Sequence, residues 1–182
     1  MKSHNLKFLF LILLGLFISN LETNAQEFKW ERINFLIGDW VGNGVGIGIK
    51  SSEISASYNY CLNDHFIEIN NHYERKTSNK KQIVEIRDDW GMLSYENSTG
   101  ITTYRQFNTD GSFIQYFLND SLSTEENLIF ESDKIENYKL NAKLRITIKK
   151  VSETEITTYF DIKLPGKNYV CYEQNKLIKE DE

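Results

Sequence analysis

From Gly38 onward, apolar and polar side chains alternate at period two, and the alternation restarts repeatedly with a turn signal between runs. Late in the chain Leu144, Ile146 and Ile148 alternate with Arg145, Thr147 and Lys149. Ile156, Thr158, Phe160 and Ile162 alternate with Thr157, Tyr159 and Asp161. Successive residues of a strand point to opposite faces, so each run predicts a strand with one face on a core and the other in water. The punctuation is specific: Asp110-Gly111 suits a tight hairpin, Asn97 to Gly100 another, and Pro165-Gly166 a type II turn. Strands are predicted near 38–49, 53–62, 65–73, 81–89, 92–96, 101–108, 112–118, 128–136, 143–151 and 155–164, with a closing one over 167–177. Before them, 27–35 places Phe28, Trp30, Ile33 and Phe35 as a short helical or irregular lead-in.

A sheet this large with short connections must close on itself or split into two packed layers, and closure removes the unpaired edges. The predicted fold is therefore all-β: a single antiparallel up-and-down β-barrel of about ten strands with a short N-terminal helix. Residues 1–25 read differently. Lys2 and Lys7 form a basic head, an apolar run extends from Leu6 to Ile18, and Thr23-Asn24-Ala25 ends in a small residue. This is the layout of an export signal, too short for a membrane span, with cleavage expected after Ala25. No cysteine stands at the cleavage point, which disfavours a lipid anchor. Residues 26–182 then form one domain of ordinary size, placed in a periplasm or outside the cell.

Charge narrows the partners. The chain carries 21 Lys and Arg against 26 Asp and Glu, a formal net charge of −5, and loss of Lys2, Lys7 and Glu22 with the leader makes it more acidic. Nucleic acid is disfavoured, because phosphate binding needs a basic surface and the one short basic run, Lys80-Lys81, reads as a solvated turn. Cys61 and Cys171 permit one internal pairing, but Cys61 falls on the polar side of its strand, and two buried free thiols are the simpler reading. With no Cys-x-x-Cys and only His65 and His72 after the leader, zinc ligation has no support.

The most informative stretch is Gly38-Asp39-Trp40-Val41-Gly42-Asn43-Gly44-Val45-Gly46-Ile47-Gly48. At period two, Trp40, Gly42, Gly44, Gly46 and Gly48 fall on one face. Glycine within a strand costs about 0.5–1 kcal/mol relative to alanine, so the column asks for a reason. It either relieves crowding where a strand bends sharply or makes interior room for a flat or bulky ligand. A phosphate loop is excluded, since the spacing is Gly-x-Gly-x-Gly and no helix follows.

The run Gly38-x-Trp40-x-Gly42-x-Gly44-x-Gly46 resembles the first-strand motif of the nitrobindin family, ten-stranded barrels related to lipocalin-like and fatty-acid-binding folds, several of which bind haem. The resemblance implies a barrel plugged at one end by Trp40, with a ligand cavity near the glycine column. It also implies a haem-ligating histidine near the C-terminal strand, and here the chain departs, with no histidine after His72. Aligning the terminal strands on Lys176-Leu177 puts Tyr169 at that place, and tyrosinate can ligate ferric haem. Without haem, the same fold would hold a fatty-acid-like or other small apolar ligand.

Arg87, Arg105 and Gln115 lie in strands rich in Tyr104, Phe107, Phe113, Tyr116 and Phe117, where an inward arginine would clamp a ligand carboxylate. His65 and His72 fall on opposite faces and cannot act as one pair, and Asp88 and Asp89 point apart for the same reason. No Gly-x-Ser-x-Gly or His-Glu-x-x-His occurs. The sequence thus points to a secreted, non-catalytic barrel binding a small apolar or haem-type ligand through Trp40, Gly42, Gly44, Gly46, Arg87, Arg105 and Gln115, with Tyr169 the candidate axial ligand. The alternative is a filled barrel that acts through its outer surface.

Overall fold

The computed structural model describes residues 30–77, 84–138 and 140–180. Two compact units divide the chain, residues 1–34 and 35–182. In the described part of the first, the Ile33 N–H donates to the Trp30 carbonyl at 2.8 Å, forming a turn. A 3-10 turn over Asn34–Leu36 precedes the first strand. The expected leader, the start of the expected N-terminal helix and the Lys80-Lys81 turn lie outside the described residues. No helix among the described residues is long and apolar enough to cross a membrane.

The second unit is a closed antiparallel barrel of ten strands in the cyclic order β1-β10-β9-β8-β7-β6-β5-β4-β3-β2. The strands are β1 Gly38–Gly46, β2 Ile49–Cys61, β3 Phe66–Thr77, β4 Val84–Glu96, β5 Ile101–Asn108, β6 Phe113–Leu118, β7 Asn127–Glu136, β8 Lys143–Lys150, β9 Glu155–Lys163 and β10 Val170–Lys179. Every neighbour in sequence is a neighbour in space, and β1 pairs with β10 to seal the ring, leaving no edge to recruit another chain. The predicted turns form: Gly100, Gly111 and Gly166 all take positive φ, where a Cβ is unfavourable.

Two boundaries differ from the sequence expectation. The 38–49 strand ends at Gly46, because Gly48 adopts φ +76° and turns the chain into β2, so it leaves the glycine column. Alternation cannot announce such a turn, since Ile47-Gly48 keeps the period. Conversely, the two strands expected over 81–89 and 92–96 are one continuous β4. Gly91 reads as a break but is a close approach: a Cβ there would crowd the Tyr104 ring and the Arg105 carbonyl oxygen on β5.

Inward positions build the core. Trp40, Tyr116, Phe130, Ile67, Leu93, Ile114, Leu128, Leu144 and Ile156 are essentially fully buried. Tyr104 stacks on Tyr116 with centroids 5.7 Å apart and meets Phe130 edge-on at 6.2 Å, so aromatic rings span the middle of the barrel. Both cysteines are free thiols, but neither is buried as expected: Cys61 is half-buried, and Cys171 is exposed because it falls on the outer face beside the β10 bulge.

Candidate functional site

Of the residues proposed from sequence, Trp40, the glycine column and Arg87 face the interior. Trp40 is fully buried and its indole N–H donates to the Leu36 carbonyl at 2.7 Å. The glycines do not open a cavity. Gly42, Gly44 and Gly46 pair with Leu177, Asn175 and Glu173 of β10, whose inward side chains lie over them. A Cβ on Gly42 would collide with the Lys176 carbonyl oxygen and Leu177, on Gly44 with the Asn175 side chain, and on Gly46 with the Tyr172 carbonyl oxygen. Close approach of β1 and β10 is what the column provides, and the ligand room expected there is occupied by β10.

Arg87 enters a buried polar network. Its Nε donates to Asp89 Oδ1 at 2.9 Å and its Nη2 to Asn108 Oδ1 at 2.7 Å, while Gln106 Nε2 donates to Asp89 Oδ2 at 2.9 Å. Burial pushes the Asp89 carboxyl up, and Arg87 offsets this only in part. Burial works against the Arg87 charge, but Asp89 beside it more than restores it, so the guanidinium stays protonated. Nearby, Arg75 Nη2 donates to Glu173 Oε2 at 2.5 Å, with both side chains almost fully buried. The inward cations are thus already matched by carboxylates of the chain.

Among the described residues the interior holds two small chambers bordering these groups, each of about 60 Å3, room for roughly two waters. One is apolar, walled by Tyr58, Ile69, Leu93, Tyr104 and Phe130; the other is polar, walled by Arg75, Arg87, Asp89 and Glu173. Ligand pockets commonly measure about 300–1,000 Å3. Burial holds the tyrosines neutral, pushing Tyr58 up to about 12 and raising Tyr73, Tyr104 and Tyr116 as well.

The other sequence-proposed residues lie outside. Arg105 and Gln115 face each other across β5 and β6 on the outer surface, and Arg105 Nη1 donates to Ser94 Oγ at 2.8 Å. Arg145 and Lys163 place their charges 4.1 and 5.5 Å from the Tyr169 ring centroid. Since Leu144 and Ile146 point inward, Arg145 and the tyrosine it covers are exterior. Burial raises the Tyr169 pKa, reinforced by Glu131, which disfavours the tyrosinate that iron ligation needs. Chamber size, the exterior Tyr169 and its raised pKa do not fit haem in this barrel.

A groove of about 540 Å3 opens on the outer face of β1 to β5. Register assembles it: Asp39 pairs with Ser57, Ser57 with Asn70, Asn70 with Trp90, and Trp90 with Phe107. A second row pairs Ser55 with His72 and His72 with Asp88. Short Ser55 and Ser57 form the floor between larger walls, and that difference in side-chain length makes the groove. One wall is aromatic: Trp90 and Phe107 are 39% and 46% exposed, with ring centroids 5.5 Å apart. The Trp90 indole N–H donates to Glu68 Oε1 at 2.6 Å, holding the ring in place. His72 Nδ1 lies 2.6 Å from Asp88 Oδ1, a bond that raises the imidazole pKa against the opposing effect of desolvation, with Asp88 and Glu74 charges adding to the rise. Asp39 and Glu180 line the groove across from the aromatics, tied by the Glu180 N–H to the Asp39 carbonyl at 2.9 Å.

No sequence-proposed ligand residue except Trp40 borders this groove. A signal for it was nonetheless present: alternation from inward Leu93 puts Trp90 on the polar face of its strand, and a tryptophan placed in water is the informative exception.

No family model matches the chain, and no curated protein matches it in sequence. Among solved structures, Rv2717c from M. tuberculosis aligns with a TM-score of 0.63 at 12% identity, covering 84% of this chain and 98% of that one. A redesigned beta barrel aligns at 9% identity over 81% of this chain and 94% of its own, with a TM-score of 0.36. The S-type phycobiliprotein lyase CPES from Guillardia theta aligns at 12% identity over 87% and 93%, with a TM-score of 0.38. Of these three, the first supports a shared fold, the closed antiparallel barrel described above.

Proposed function

We propose that the protein is an exported, non-catalytic ligand-binding barrel in which the packed interior is scaffold and the outer groove of β1 to β5 is the binding site. The observation that carries this reading is the contrast in volume, about 540 Å3 in the groove against about 60 Å3 in each interior chamber. Export rests on the leader-like residues 1–25. The ligand lies flat against Trp90 and Phe107, with its polar edge toward Ser55, Ser57 and Asn70.

The test is an NMR screen of the purified protein against a panel of small polar aromatic, sugar and amine compounds. Saturable shifts at Trp90, Phe107 and His72, lost in Trp90→Ala, are expected. Shifts confined to Tyr58, Tyr104 and Phe130, or no saturable shift from any compound, would overturn the reading.

A second reading, uptake of a slender amphipathic ligand by the interior, draws on the two chambers sharing Tyr73, Gln106, Ile146 and Thr158. A fluorescent fatty-acid probe separates the two, because only interior uptake would quench on binding in Trp90→Ala.

A further inference from the structure

The groove's charge and its aromatic wall together narrow the ligand class. Asp39, Asp88, Asp89 and Glu180 line it, Asp88 paired with His72 and Asp89 with Arg87, whereas neither Lys nor Arg lines it among the described residues. Among those residues Asp39 and Glu180 form no ion pair, so their charge is not spent within the chain. The wall opposite offers the exposed rings of Trp90 and Phe107, whose faces carry the negative end of the aromatic quadrupole. Indole is the strongest such partner among side chains, and the bond from Trp90 to Glu68 leaves its ring already oriented. Carboxylates on one side and aromatic faces on the other both favour positive charge between them. An anionic ligand would meet the unpaired carboxylates of Asp39 and Glu180, while the one imidazole lining the groove, His72, is already held by Asp88.

The interior makes the opposite arrangement. Arg75 and Arg87 are each held by a carboxylate there, at Glu173 and Asp89, so the chain's own pairing consumes the charge. In the groove, by contrast, Asp39 and Glu180 leave negative charge available beside open aromatic surface.

Resting on the groove as the binding site, we infer that its ligand is a compact organic cation of the alkylammonium class. The ammonium sits against Trp90 and Phe107, in a groove whose unpaired carboxylates, Asp39 and Glu180, give it a negative sign. Because those carboxylates are solvent-facing, binding weakens as ionic strength rises past the point where the Debye length shortens to about 8–10 Å.

The experiment compares choline, its uncharged isostere 3,3-dimethylbutan-1-ol and methyl glucoside, each titrated into the full protein by NMR and tryptophan fluorescence. Choline is expected to shift Trp90, Phe107 and His72 and to bind about tenfold more tightly than the isostere. That ratio is expected to collapse in the double variant Asp39→Asn, Glu180→Gln, whose substitutions leave the interior pairs untouched. If the isostere or methyl glucoside binds at the same residues as tightly as choline, the cation assignment is overturned and the groove as a binding site stands. If choline fails while another compound class saturates the groove, the assignment is likewise overturned. If no compound of any class perturbs the groove, the underlying reading falls with it.

Discussion

The inner and outer faces of β1 to β5 come from the same strands and differ in how far each has satisfied itself. Inward, Arg87 has Asp89 and Asn108, Arg75 has Glu173, and the rings of Tyr104, Tyr116 and Phe130 take up the remaining space. Outward, Ser55, Ser57, Asn70, Trp90 and Phe107 border open volume, and Asp39 and Glu180 keep their charge. In a closed sheet the period-two alternation separates these tasks residue by residue. A change at one position then reads on stability and a change at its neighbour reads on binding.

Glu173→Ala strains the inner face most. It leaves the Arg75 guanidinium buried without its carboxylate, and loss of one partner of a buried pair costs about 3–5 kcal/mol. Urea unfolding should show that loss, and a change below about 1 kcal/mol would mean that the pair contributes as a surface one does.

Gly42→Ala comes next. The new methyl would press on backbone of β10 at Lys176 and Leu177, which cannot rotate away, so overpacking should cost about 1–3 kcal/mol. Neutral behaviour in the same unfolding assay would return the column to the role of ligand room.

Trp90→Ala tests the outer face. With 39% of the residue exposed and its ring set against Phe107 and Glu68 on the outer face, the stability change should stay under about 1 kcal/mol, while groove binding falls tenfold or more. A large loss of stability with binding intact would reverse the division between the two faces.

The smallest effect is a pH dependence at His72. Its bond to Asp88 raises the folded-state pKa above the ordinary value of 6.5, so the folded protein holds the proton more tightly than the unfolded chain does. The stabilisation is fully present below the unfolded value and is lost as pH rises through the higher folded one. Because the imidazole is largely exposed, the contribution is small. An NMR titration of His72 should show a midpoint above 6.5 that falls in Asp88→Asn; an unchanged midpoint would remove Asp88 as its cause.

Much of the barrel was legible because strand alternation is a local signal. The Leu144 and Ile156 runs, the glycine turns at Gly100, Gly111 and Gly166, and the opposite facing of Asp88 and Asp89 all follow from a residue and its near neighbours. The site was less legible. Arg87 and Arg105 looked equivalent in composition, yet one is interior and the other meets Ser94 outside. The period for β4 was obscured at Gly91, whose missing side chain answers to Tyr104 on another strand.

By itself the sequence determined an all-β chain with these turns, because each depends on side-chain period and local backbone preference. Tertiary structure alone decided what fills the interior and what lines the groove. Asp39, Ser57, Asn70, Trp90 and Phe107 lie on five strands, and only the register between those strands brings them into one row. Likewise the glycines of β1 are explained by β10, at the far end of the chain, whose approach becomes visible once the barrel closes.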